Sequence, residues 1–198
     1  MNWRRWRYGR RSYGRHSGRF GFMAGRHGNG VCAMSNNYQN ITQLAQNIIE
    51  RTQQKNVMIA LAESCTGGMI AAALTDISGS SAVLDRGFVT YSNQAKIDVL
   101  GVSNSTLTQH GAVSEQTARA MVEGTLIAAP MADLALSVTG IAGPDGGGQE
   151  KPVGLVHFAC QRRDSPQIHA KHIFNGDRNM VRQQAVHTAL MMIEYAIA

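Results

Sequence analysis

From residue 41 to residue 196, short apolar runs of strand length alternate with stretches whose apolar residues recur at helical spacing. Ile41-Thr-Gln-Leu-Ala-Gln-Asn-Ile-Ile places apolar side chains at i, i+3, i+4 and i+7, which predicts an amphipathic helix ending near Gln54. Val57–Ala62 is continuously apolar, the pattern of a strand buried on both faces. Thr66–Leu74 reads as a helix behind two glycines, ISGSS as a turn, and Gly87–Ser92 as a β-branched and aromatic strand. Ser114 reads as an N-cap, with Glu115 well placed in the first turn of a helix reaching about Ala128. Ala132–Val138 is a strand and 139–152 a Gly/Pro loop. Val153–Cys160 and Gln167–Phe174 flank the polar turn QRRDSP as a hairpin, and Asp177–Ala196 closes the chain as a helix. Such alternation predicts a layered α/β domain with helices on both faces of its sheet, and the hairpin makes that sheet mixed.

Composition separates this domain from its N-terminus. Hydrophobic residues make up 43% of the 198 and charged residues 16%, a globular balance. The formal net charge of +6 suggests nucleic-acid binding until its distribution is read. Residues 1–33 hold eight arginines and no acidic residue, so the remainder carries 11 basic against 13 acidic side chains. Residues 1–35, rich in Arg, Gly and aromatics without periodicity, are expected to be a disordered tail, and 36–198 the domain. Three readings of the tail compete: a nucleic-acid arm, a transit-like peptide, and a translated upstream extension preceding Met34. No apolar run approaches the roughly 18–20 residues needed to cross a bilayer. Cys32, Cys65 and Cys160 show neither a disulfide framework nor zinc spacing, so a cytoplasmic protein is expected.

Three segments depart from the plain rhythm of apolar element and polar turn. In Ala62-Glu63-Ser64-Cys65-Thr66-Gly67-Gly68 a buried strand runs into two hydroxyls, a thiol and two glycines before a helix. Ligands of α/β sheets bind at such strand ends, where free N–H groups of the helix hold anions. Ser64 resembles, in position though not in motif, the serine of a strand-to-helix nucleophile elbow; the competing reading makes Ser64 or Thr66 a simple N-cap. Cys65 is a rival nucleophile, but alternation points it away from Ser64, as a small buried residue. Tyr91-Ser92-Asn93-Gln94-Ala95-Lys96 supplies a lysine, which serves as a base if desolvation leaves it neutral, and a tyrosine hydroxyl able to orient a proton. A solvated surface lysine is the ordinary alternative. Thr139–Gly148 is glycine-rich and offers backbone N–H groups for an anion or a closing loop, or is merely a flexible connection. Arg178 and Arg182 are i,i+4 neighbours near a helix start, where basic side chains invite an anionic partner; Asp177 as N-cap with Arg178 paired to a carboxylate is the alternative.

Taken in order, AESCTGG, GFVTYSNQAK, GAVSEQTA, SVTGIAGPDGG, KPVGLVHFA and FNGDRNMVR resemble the CinA C-terminal domain family over about residues 40–195. The resemblance implies a three-layer α/β/α sandwich with a mixed, mostly parallel sheet. It also implies nicotinamide-nucleotide amidase activity, hydrolysis of the carboxamide of nicotinamide mononucleotide (NMN) to nicotinate mononucleotide and ammonia. Carried over by motif, Ser64 becomes the nucleophile, Lys96 its base and Tyr91 the supporting hydroxyl. Substrate contacts are expected from Cys65, Thr66, Gly67, Gly68, Thr139, Gly140 and Gly143, with Arg178, Arg182 and the Gly140–Gly148 loop as candidates for the phosphate. No metal or organic cofactor is implied. The partners expected are the nucleotide and a second copy in a homodimer, with no membrane, and nucleic acid through the basic tail alone. A catalytically silent nucleotide-binding module is the rival reading.

Overall fold

The computed structural model describes residues 30–198, with side chains from Asn40 onward, so the expectations for residues 1–29 lie outside it. Helix α1 (Gly30–Lys55) leads into strand β1 (Ile59–Glu63), helix α2 (Met69–Thr75), a 3-10 turn at Ser80–Ala82 and strand β2 (Leu84–Val89). Helices α3 (Asn93–Leu100), α4 (Asn104–His110) and α5 (Glu115–Ala128) follow, then strand β3 (Leu134–Gly140). The hairpin β4 (Leu155–Arg162) and β5 (Ile168–Ile173) and helix α6 (Arg178–Ala196) complete the chain.

The five strands lie in the order β2-β1-β3-β4-β5. The β1–β2 and β1–β3 pairs are parallel, whereas β3–β4 and β4–β5 are antiparallel, so only β4 runs against the others. The sheet is mixed and its strands mostly share one direction, as expected.

Alternation along each strand sorts the core into two unlike faces. Ile59 and Leu61 of β1, Leu136 and Val138 of β3, and Phe158 of β4 point to one face, where Ile48 of α1, Ile70 of α2 and Leu190 of α6 cover them. Ala60, Ala135 and Ala159 point to the other and meet Ala118 and Val122 of α5. Alanines on that side let α5 lie close to the sheet, and Ala62 joins Leu100, Leu107 and Met121 from α3, α4 and α5. This is the three-layer α/β/α arrangement. No helix among the described residues is long and apolar enough to cross a membrane.

Several boundaries differ from the sequence reading, each for a local reason. Helix α2 begins at Met69 rather than Thr66, because Gly67 and Gly68 take positive φ angles of 60° and 96°. Strand β2 runs three residues earlier than expected: Thr90 makes a last bond to the Glu63 carbonyl, then Ser92 caps α3 by accepting from the Ala95 N–H. Helices α3 and α4 escape the periodicity argument because α3 buries only Lys96 and Leu100, and α4 only Leu107, so neither shows an apolar stripe. The caps at Ser114 and Asp177 stand where expected, accepting from Thr117 and Met180.

Candidate active site

The carboxyl end of β1 runs straight into a turn held by both backbone and side-chain bonds. Ser64 follows the strand directly; its N–H donates to the Val138 carbonyl at 3.0 Å and its own carbonyl accepts from Gly67 at 3.1 Å. Ala62 points toward α3 and α5, so alternation turns Ser64 to that same face and Cys65 to the other, where Cys65 joins the large core. Burial pushes the Cys65 thiol up to about 12, which keeps it protonated and unreactive near neutrality.

Two charged side chains hold this turn. Glu63 is almost wholly buried, and its carboxylate accepts from the N–H groups of Gly68 (2.9 Å), Ile70 (3.1 Å) and Ala71 (2.8 Å). The free donors at the start of α2 are thereby spent on the protein's own carboxylate. Arg182, from α6, donates through Nε to the Cys65 carbonyl (3.1 Å) and through Nη2 to the Thr66 carbonyl (2.8 Å). Among the described residues, the N–H groups of Cys65 and Thr66 donate to no carbonyl or carboxylate, unlike those of Ser64, Gly67, Gly68 and Met69, and meet only the Cys65 sulfur. The Thr66 and Thr90 hydroxyls, both fully buried, have no hydrogen-bond partner among the described residues.

Lys96 reaches the turn from the first turns of α3. Only 1% exposed, its Nζ lies 3.2 Å from Ser64 Oγ, 2.9 Å from the Thr90 carbonyl and 3.4 Å from the Tyr91 carbonyl. Among the described residues no carboxylate pairs with it. Burial lowers its pKa below 10.5; a Cys65 thiolate would oppose that, but the thiol stays protonated. A neutral amine has two hydrogens and one lone pair. With the hydrogens on the Thr90 and Tyr91 carbonyls, the lone pair faces the Ser64 hydroxyl.

Tyr91 is placed differently from the expectation of a hydroxyl serving Lys96. Its carbonyl faces Lys96, while the residue as a whole is 61% exposed and its hydroxyl accepts from Arg178 Nη2 at 3.0 Å. Arg178 also donates to the Gly143 carbonyl at 2.8 Å, so one guanidinium ties α6 to both the β2–α3 turn and the loop after β3. The alternative of Arg178 on a carboxylate is not what the structure holds. Thr139 donates to the Ala112 carbonyl at 2.7 Å. Gly140 closes β3, and a Cβ there would stand 2.7 Å from Val156 Cγ2 and 2.8 Å from the Leu155 carbonyl, so strand packing accounts for this glycine. Ser64, Lys96, Cys65, Thr66 and Arg182 thus meet at one point, and Tyr91, Arg178 and Gly143 form a second cluster.

Sequence reasoning missed Glu63 and Thr90. The signal for Glu63 was present: an acid ending an apolar strand, then two glycines, then a helix with no polar N-cap side chain. Thr90 acts through its carbonyl, which carries no residue-type signal.

Fold and site together define a three-layer α/β protein with a buried serine–lysine pair at the carboxyl end of its central parallel strand. The chain belongs to the CinA family: residues 41–197 match the model of the CinA C-terminal domain. It is 57% identical over 143 residues to the nicotinamide-nucleotide amidohydrolase PncC of Enterobacter agglomerans, covering 72% of this chain and 87% of the relative. The PncC of Escherichia coli K12 is 48% identical over 153 residues, covering 77% and 92%. Among solved structures, the competence/damage inducible protein CihA from Agrobacterium tumefaciens superposes with a TM-score of 0.77 at 51% identity, covering 80% of this chain and 95% of that one.

Proposed function

We infer that the protein is a nicotinamide-nucleotide amidase, hydrolysing the carboxamide of NMN to nicotinate mononucleotide and ammonia. The observation that carries the chemistry is Lys96 Nζ, buried without a carboxylate, 3.2 Å from Ser64 Oγ. Identity to amidohydrolases of that name across most of their length supports the substrate.

Ser64 Oγ attacks the carboxamide carbon while its proton passes to Lys96 Nζ. The N–H groups of Cys65 and Thr66 are the donors for the tetrahedral oxyanion, each typically worth about 3–4 kcal/mol. Lys96 then returns its proton to the departing nitrogen; the C–N bond breaks, ammonia leaves, and an ester remains on Ser64. Water attacks that ester, Lys96 takes its proton, and Ser64 Oγ leaves with a proton from Lys96, releasing nicotinate mononucleotide. While Lys96 is charged, the Thr90 and Tyr91 carbonyls accept its hydrogens, which limits the cost of a buried ammonium.

Ammonia release from NMN by the full chain tests the reading, with Ser64→Ala and Lys96→Ala beside it. Turnover abolished by both variants supports a serine–lysine amidase. Activity surviving Ser64→Ala rejects the serine, and nucleotide binding without ammonia release favours the silent binding module. The homodimer and a nucleic-acid contact through residues 1–33 are separate proposals, tested by sedimentation and by salt-dependent RNA or DNA binding.

A further inference from the structure

Among the described residues, the hydroxyls of Thr66 and Thr90 are fully buried and have no hydrogen-bond partner. Each such hydroxyl lowers the stability of the fold, because it has lost its hydration and gained no bond in return. Enclosure also limits what satisfies it. Neither Oγ1 is open to solvent, so a ligand does not reach it from outside and the missing partner is a protein group. A partner absent in one state and present in another points to a neighbour that changes its protonation. Thr66 has no such neighbour among its bonds: the charged group on its carbonyl is Arg182, which stays protonated throughout. Thr90 has one in Lys96.

Thr90 stands beside Ser64 at the end of the sheet. Phe88 pairs with Ala62 across β1–β2 and packs with Leu100 on the α3 face. Two residues further on, Thr90 still donates its N–H to the Glu63 carbonyl at 2.8 Å, so alternation turns its side chain to that same face, next to Ser64. Side chains so placed on adjacent strands have Cβ atoms about 5 Å apart. Lys96 Nζ touches both residues, 3.2 Å from Ser64 Oγ and 2.9 Å from the Thr90 carbonyl. A threonine Oγ1 lies roughly 3–5 Å from its own carbonyl oxygen, so the orphan hydroxyl is a neighbour of the amine.

The contacts of Lys96 suit a neutral amine better than an ammonium. One of its two carbonyl contacts, to Tyr91, is 3.4 Å long, near the limit of a hydrogen bond. A buried ammonium needs each hydrogen well held, and among the described residues no carboxylate balances this one. We propose that the Thr90 hydroxyl binds the Lys96 ammonium as Ser64 gives up its proton, taking the hydrogen that the Tyr91 carbonyl holds at a distance. The proposal rests on the amidase reading. A single proton moves: Ser64 Oγ loses it, Lys96 Nζ gains it, and Thr90 Oγ1 accepts a hydrogen bond without exchanging a proton. A bond absent from the resting protein and present in the transition state raises kcat without tightening substrate binding. Thr90 is thus a positioning residue that acts through Lys96.

Thr90→Val keeps the shape and the carbonyl but removes the hydroxyl, whereas Thr90→Ser keeps the hydroxyl. On the high-pH plateau, Thr90→Val lowers kcat for NMN about tenfold, the loss of one charge-assisted bond, while KM moves less than about twofold. Thr90→Ser stays within about threefold of the parent kcat. A second readout needs no turnover. The chain has four lysines, Lys55, Lys96, Lys151 and Lys171, so carbon-13-labelled lysine side chains are followed against pH, with Lys96 assigned by its loss in Lys96→Met. In Thr90→Val the Lys96 amine titrates at lower pH than in the parent, because its charged form has lost an acceptor. For the same reason the stability of Thr90→Val relative to the parent, read from urea midpoints, rises with pH. An unshifted Lys96 or an unmoved kcat in Thr90→Val overturns the proposal even if the parent releases ammonia. A raised KM at constant kcat also overturns it, by placing the hydroxyl on the substrate, as does a Thr90→Ser no better than Thr90→Val, by making the loss one of packing. A shifted Lys96 in Thr90→Val, beside a parent that releases no ammonia, supports the contact and overturns the amidase reading.

Discussion

Arg182 Nη2 donates to the carbonyl of Thr66 at 2.8 Å, joining the first turns of α6 to the turn that bears Ser64. With Nε on the Cys65 carbonyl, the guanidinium fixes two successive peptide planes. In a trans peptide the N–H opposes the C=O, so the Thr66 amide is aimed away from Arg182. Arg182 is therefore a positioning residue in the proposed reaction. Arg182→Met lowers kcat by about 10–100-fold, the loss of one or two charge-assisted bonds, while the KM for NMN moves less than about threefold. Arg182→Lys restores part of kcat. A variant that loses affinity but keeps kcat would return Arg182 to a substrate-binding role.

Glu63 does for α2 what no side chain at its N-cap does, because Gly68 has none to offer. A glutamine in its place has one acceptor oxygen, and turns an NH2 group toward an N–H donor. Glu63→Gln is expected to cost about 2–3 kcal/mol, seen as a lower urea midpoint with an unchanged slope. A midpoint within experimental scatter of the parent would mean that the helix start is held by other contacts.

How far the site is legible in the sequence depends on how local each cause is. Ser114, Asp177 and the β4–β5 hairpin act over a few residues, and their residue types announce them. Ser64 is legible because a strand ending in hydroxyl, thiol and paired glycine departs from ordinary turn chemistry. The partners of Arg178 and Arg182 are not legible, since Tyr91, Gly143, Cys65 and Thr66 lie far away in the chain and the contacts on Gly143, Cys65 and Thr66 are to backbone atoms. Lys96 shows the deeper limit. A lysine in a short helix reads as solvated, and the fold alone reveals that α3 turns it inward.

Lys96 links activity and stability through one proton. Its amine must be neutral to accept from Ser64, so kcat/KM for NMN climbs with pH toward a pKa below 10.5 and levels above it. The unfolded chain keeps that proton to higher pH than the folded one, so it binds more protons in the interval between. Stability therefore rises with pH across that interval. Lys96→Met abolishes turnover, removes this slope, and is at least as stable as the parent at neutral pH because no amine is buried. Urea titrations at several pH values check the slope, and a less stable Lys96→Met would show that Lys96 holds the fold together.

Gly124 connects packing to the site. A Cβ there would stand 1.9 Å from the Leu100 carbonyl, at the end of the helix that carries Lys96. Gly124→Ala must push α3 away from α5, at about 1–3 kcal/mol in stability. Displacing α3 also carries Lys96 Nζ away from Ser64 Oγ, so kcat falls by about tenfold or more even where the protein remains folded. Normal kcat in a destabilised Gly124→Ala would show that α3 yields without moving Lys96.

His157 gives the stability of the fold a pH signature. Burial first, then the charges of His169 and Lys171, push its pKa from 6.5 down to about 4, with Lys151 adding a little and Glu115 pulling the other way. An unfolded chain protonates this histidine near 6.5, whereas the folded one resists until about 4, so the unfolded state binds more protons in between. Stability therefore falls as pH drops through that window. His157→Leu lacks this contribution, and its stability declines less steeply than the parent's over the same range. Parallel curves for parent and variant would mean that His157 titrates as it does in the unfolded chain.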